Sequence, residues 1–148
     1  MLCTPPFSVL SRMQIDRTFS GPKRRAIREL NYDSSTRVLA LTARRFWESE
    51  DGIFGGGTYT DLPTGITYYP ADNAAARDAA VSAQPAMLAS YTWGQDARRL
   101  AALPHRERAT LALQHVTRVH PQLGRAGMVR RTASWSWDNH PWSSGAFA

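Results

Sequence analysis

Polar and apolar residues alternate from Met128 to Trp137, a period of two that predicts a strand. Shorter β-type runs bounded by turn residues add Arg37–Thr42, with apolar Val38, Leu39 and Leu41, then Ile53–Tyr59, Gly65–Tyr69 and Met87–Trp93. Arg45–Trp47 reads as an extension of the first run after a kink, and Glu50-Asp51-Gly52 as a turn. Asp61-Leu-Pro-Thr-Gly65 and the alanine-rich stretch Asp72–Pro85 are connections, the second with room for a helical turn. Pro22–Leu30 predicts a short helix, with Ser20 as N-cap, Pro22 in the first turn and Ile27 and Leu30 on one buried edge. Gln95–Leu103 and Pro104–His120 predict two more; Leu111, Val116 and Val119 lie on the apolar side of the second, and Pro121 stops it. Residues 1–10, apolar with two prolines, read as the end of a strand, and Pro141–Ala148 as a loop. The expected fold is α+β, a mixed, largely antiparallel sheet with helices packed on it.

Composition narrows the class. A chain of 148 residues, 43% hydrophobic and 20% charged, has room for one globular domain. The formal charge of +6 comes almost wholly from arginine, since Lys23 is the only lysine. Those arginines are scattered as Arg24-Arg25, Arg44-Arg45, Arg98-Arg99, Arg106, Arg108 and Arg130-Arg131, which reads as several solvated faces and leaves nucleic-acid binding a minor alternative. With Cys3 as its single cysteine the chain forms no internal disulfide and no cysteine-based zinc site. No signal-like leader or span-length apolar run is visible, so a soluble, cytoplasmic protein is expected.

Gly52-Ile-Phe-Gly-Gly-Gly57 has the glycines of a phosphate-binding loop but not its context: Thr58-Tyr59-Thr60 continues as strand and no helix follows. A glycine-rich strand approached closely by another backbone or a flat ligand is the better reading. His105, His115, His120 and His140 lack metal-ligand spacing and read as surface residues. Glu48, Glu50 and Asp51 read as solvated turn acids rather than a catalytic pair. Tyr91, Trp93, Trp135, Trp137 and Trp142 concentrate large flat rings after residue 86, a pattern that by residue type alone predicts core before ligand site.

A set of motifs changes that weighting. Arg45-Phe-Trp-Glu, Gly55-Gly-Gly-Thr, Thr60-Asp-Leu-Pro, Tyr68-Tyr-Pro and Leu88-Ala-Ser-Tyr-Thr-Trp-Gly-Gln-Asp-Ala97 run in order through the chain. Pro6–Leu10 and Lys23–Leu30 precede them, and Trp137-Asp-Asn-His-Pro-Trp-Ser-Ser-Gly145 follows. Together they resemble the flavin-containing monoamine oxidases, and among these the L-amino acid oxidases, over nearly the whole chain. The resemblance implies the substrate-binding part of a two-domain fold: residues 1–10 as a remnant strand of the FAD-binding domain, 11–137 as the substrate domain and 138–148 as the start of the return. The glycine fingerprint of the FAD-binding Rossmann part is not in the sequence, so a fragment that does not bind FAD or turn over alone is expected.

The same resemblance implies oxidative deamination of an L-amino acid, with hydride transfer to FAD and reoxidation by oxygen to hydrogen peroxide. Tyr91 falls where a family tyrosine bonds the substrate carboxylate. Trp137, spaced to Gly145, falls where a tryptophan packs near the flavin, with Trp135 close enough to take its place. Arg37 stands where the family carries a lysine that assists oxygen chemistry; a guanidinium is larger, planar and far less willing to release a proton, which implies slower reoxidation. The implied partners are an amine or amino acid, oxygen, the absent FAD-binding half and, as an open case, a second copy of the chain. A non-catalytic interaction module or dead paralogue is the main alternative. An isolated substrate domain is also expected to expose apolar surface.

Overall fold

In the computed structural model the described residues are 3–72 and 85–148. They form a five-stranded antiparallel sheet in the order β2-β3-β4-β1-β5, comprising β1 (Ser35–Thr42), β2 (Gly56–Tyr59), β3 (Ile66–Tyr69), β4 (Ala86–Trp93) and β5 (Val129–Ser136). Helices α1 (Phe7–Leu10), α2 (Gly21–Glu29), α3 (Phe46–Ser49), α4 (Gly94–Ala101) and α5 (His105–Val119) are joined by a 3₁₀ turn at Pro121–Gly124. The expectation for the central part of the Asp72–Pro85 connection lies outside the described residues. Among the described residues no helix is long and apolar enough to cross a membrane.

One face of the sheet is closed by α4 and α5. Val38 packs on Ala109 and Ala112, whose small side chains let α5 approach the sheet backbone. Ala40, Met87, Ala89 and Tyr69 meet Phe46, Trp47, Val116, Leu123 and Met128 in the larger core. The buried side of α5 is therefore Arg108, Ala109, Ala112 and Val116; Leu111 is only half-buried and Val119 is exposed, contrary to the stripe expected from its larger apolar residues.

Two strand expectations become single helical turns. Phe46 and Trp47 are consecutive and both fully buried, which a strand, sending neighbours to opposite faces, does not allow. Val9 and Leu10 are likewise consecutive and buried, and both donate to the Pro6 carbonyl, so residues 7–10 are helical rather than the tail of a strand. The predicted helix at Pro22–Leu30 forms, but Ser20 makes no side-chain cap and no residue of α2 is buried; Ile27 is half-buried and Leu30 exposed. The glycine run is strand only in its last two residues: β2 begins at Gly56 rather than at Ile53, and a Cβ on Gly57 would stand 3.0 Å from the Tyr68 ring and the Thr67 carbonyl.

A bulge in β4 decides what the other face carries. Val38 pairs with Ser90 but Leu39 pairs with Leu88, so Ala89 is the extra residue. Met87 and Ala89 point into the core before it, and Ser90 and Thr92 are buried after it. Leu88, Tyr91 and Trp93 are thereby left on the face without helices.

Candidate functional site

That open face collects the aromatic and cationic side chains. Residues directly opposite in an antiparallel ladder share a face, and Arg37 stands opposite Tyr91 on one side and Trp135 on the other. Ring contacts run across the sheet from Tyr59 to Tyr68, Tyr91, Trp93 and Phe147, with centroids 6.4, 6.2, 5.3 and 6.2 Å apart. Trp93 and Trp135 are each 48% exposed and Trp142 is 70% exposed, so the expectation that these rings are core is overturned. The helix face was already filled by Phe46, Trp47 and small residues, leaving the later rings outside.

Three residues singled out from sequence meet here. The Arg37 guanidinium lies over both rings, 4.5 Å from the Tyr91 centroid and 4.9 Å from that of Trp137. Its Nε is buried without a hydrogen-bond partner, and none of the ion pairs among the described residues includes it. Burial pushes the Tyr91 phenol up, but donors from Arg37 and Trp93, with the charge of Arg37, outweigh it and hold the phenol below the ordinary tyrosine value. Trp137 is anchored by its backbone N–H, which donates to the Ser35 carbonyl. Trp135 instead contacts the His140 ring at 5.0 Å, so the ring stacked on Arg37 is Trp137.

Gly145 does not join this cluster directly. Its N–H bonds the Trp137 carbonyl, and with φ +132° it lets Tyr32 pack so closely that a Cβ would stand 2.6 Å from that of Tyr32. Its visible role is to close the loop that holds Trp137.

A second polar cluster was not foreseen. His120, expected at the surface, is buried in the core; Tyr69 Oη bonds its Nε2 and Asp51 Oδ2 its Nδ1 at 2.9 Å. Gln122 Nε2 donates to the other Asp51 oxygen and Thr58 Oγ1 contacts the Tyr69 hydroxyl, both at 2.7 Å. Asp51 is thus a structural acceptor, while Glu48 pairs with Arg45 and Glu50 with Arg44 and Arg125, so none of the three is simply solvated. No sequence spacing links positions 51, 69 and 120; only the fold does. Among the described residues no group of three or more histidines, cysteines and acids could hold a metal.

Burial raises the Tyr69 phenol, helped by the nearby charge of Asp51 and opposed by Thr58. A raised acid favours the folded state below its unfolded pKa of about 10, and that contribution is lost as pH climbs through the folded value. Tyr69→Phe is expected to flatten this alkaline loss in pH-dependent melting. Near neutral pH it costs about 1–2 kcal/mol by leaving His120 Nε2 unsatisfied.

Residues 1–148 match the family described as flavin containing amine oxidoreductase. The chain belongs to that family. It is 38% identical over 146 residues to the flavin-dependent L-tryptophan oxidase of Lentzea aerocolonigenes, covering 99% of this chain and 29% of that protein. With the L-amino-acid oxidase of Siganus canaliculatus identity is 39% over 139 residues, covering 92% of this chain and 25% of the relative. Cyclohexylamine oxidase from Brevibacterium oxydans shares the fold at a TM-score of 0.74 and 14% identity, over 96% of this chain and 29% of that structure. The chain therefore spans less than a third of the length of these relatives.

Proposed function

We propose that the chain is the substrate-binding segment of a flavin-dependent oxidase acting on L-amino acids. The observation that carries the reading is the convergence of Arg37, Tyr91 and Trp137 on the one sheet face that α4 and α5 leave open. Exposed flat rings suit a flat ring system, and Trp137, braced by the loop closed at Gly145, is the residue that would pack against FAD. When bound, FAD supplies the hydride acceptor and passes the electrons on to oxygen. Tyr91 orients the substrate through its phenol, while Tyr68 and Trp93 line the sheet beside it and exclude water from the reacting carbon.

The domain assignment belongs to the same proposal. Segments 1–10 and 138–148, assigned to the FAD-binding part, meet in space: Ser8 Oγ donates to the Ser143 carbonyl at 2.7 Å, and beside it Arg12 reaches the Pro141 carbonyl and Ser144 Oγ, each at 2.7 Å. Such adjoining segments supply a shared border for a second unit. On this reading the 148-residue chain alone retains no FAD and is inactive, and it works in the cytoplasm as part of a longer protein.

The test is to purify both the chain and its longer form, record flavin absorbance and measure peroxide released with L-amino acids and with simple primary amines. A yellow longer form that releases peroxide with L-amino acids is the expected result. A folded, colourless longer form that oxidises neither substrate class would overturn the reading and favour an interaction module.

A further inference from the structure

We infer that a pocket beside the edge strand β5, walled by Arg108, Ser134, Trp135, Ser136, Asn139 and His140, binds a small oxyanion of the phosphate or sulfate class. None of Arg37, Tyr91 and Trp137 lines it, so it is separate from the site described above and does not depend on the oxidase reading. Its volume of 180 Å³ holds a tetrahedral ion with a few waters, each of which takes up about 30 Å³.

The wall offers donors and no acid. Arg108, 7% exposed, spends four of its five N–H groups on the carbonyls of Leu100, Ala101 and Leu103 and on Ser134 Oγ, which leaves one N–H on Nη1. Ser136 is 6% exposed, and its Oγ is buried without a hydrogen-bond partner. A buried hydroxyl left this way calls for a ligand that satisfies it. Asn139 gives one amide N–H to the Ala101 carbonyl at 2.8 Å and has a second to offer, while the His140 ring, 5.0 Å from that of Trp135, adds a nitrogen able to donate. Asp138, the acid next in sequence, accepts from Ser34 Oγ at 2.7 Å and does not line the pocket. One cation and several neutral donors without a carboxylate select an anion, and burial of the guanidinium strengthens the charge-assisted bonds it makes. The ion would tie α5 and β5 to the loop that follows Trp137.

Calorimetric titration of inorganic phosphate into the longer protein, at constant ionic strength, tests the site, and the parent is expected to bind it. Ser136→Ala removes the free hydroxyl and little else, and should weaken phosphate about 10-fold, the scale of one hydrogen bond to a charged group. Asn139→Asp, at an exposed position, sets a carboxylate in the wall and should abolish measurable binding. Arg24→Gln, on the exposed helix α2, lowers the overall positive charge equally well and should leave phosphate within about twofold of the parent. Matching melting curves without phosphate separate lost binding from lost folding. No phosphate binding by the parent, or parent affinity retained in either Ser136→Ala or Asn139→Asp, would refute the proposal; the second result would mean an adventitious ion only, or one held at an empty cofactor site. Flavin absorbance and peroxide release play no part in the readout, so failure of the oxidase reading shows separately.

Discussion

Replacing Trp47 with alanine is expected to lower stability by about 4 kcal/mol, within the range for deleting a large aromatic from a core. Trp47 has no exposed surface, meets Phe46 edge-on at 5.3 Å and lies 6.3 Å from the Tyr69 ring, at the centre of the larger core. The single turn of α3 holds it there, and no neighbouring element could refill so large a void. Its indole Nε1 is buried with no acceptor, so the ring contributes through packing and pays for an orphaned donor. Trp47→Phe removes that donor with part of the volume and should cost only about 1–2 kcal/mol. Chemical denaturation of the two variants checks both figures; a similar loss in each would mean that the indole edge, not the ring volume, matters.

Arg108→Ala should cost about 3 kcal/mol, roughly 10 °C in melting temperature for a domain of this size. Arg108 is 7% exposed and pairs with no carboxylate among the described residues. Its Nε donates to the Leu100 carbonyl at 2.9 Å, while Nη2 reaches Ala101 at 3.1 Å and Leu103 at 2.9 Å. Nη1 adds Ser134 Oγ of β5 at 3.0 Å. The side chain thus caps the C-terminal end of α4, where free carbonyls gather and a cation is favoured, and ties that end to α5 and to the sheet edge. Desolvation lowers its pKa, yet a guanidinium stays charged throughout the ordinary pH range. Arg108→Lys keeps one charge but cannot reach three carbonyls in a fork, so thermal melting should show it recovering less than half of the loss.

The strands were legible because β-branched and aromatic runs are bounded by turn residues, and all five begin and end within three residues of the pattern. Helical turns of four residues were not, since α1 and α3 are too short for a 3.6-residue period to show. Arg37, Tyr91 and Trp137 could be named from motif resemblance, but nothing in their spacing says that the guanidinium of the first lies over the rings of the other two. That contact depends on strand order β4-β1-β5, which local pattern does not encode. Arg108 and His120 were missed for a related reason: a charged or titratable residue on a helix reads as surface until a helix end or a distant tyrosine is found beside it.

The bulge at Ala89 divides the labour of a single strand. Met87, Ala89, Ser90 and Thr92 answer to the packing of the helices, whereas Leu88, Tyr91 and Trp93 answer to whatever lies over the open face. If that face binds the substrate as proposed, mutations in the second set change ligand preference with little penalty in folding, while the other side chains of β4 keep the domain intact. One inserted residue in this way separates the evolution of specificity from the upkeep of the fold.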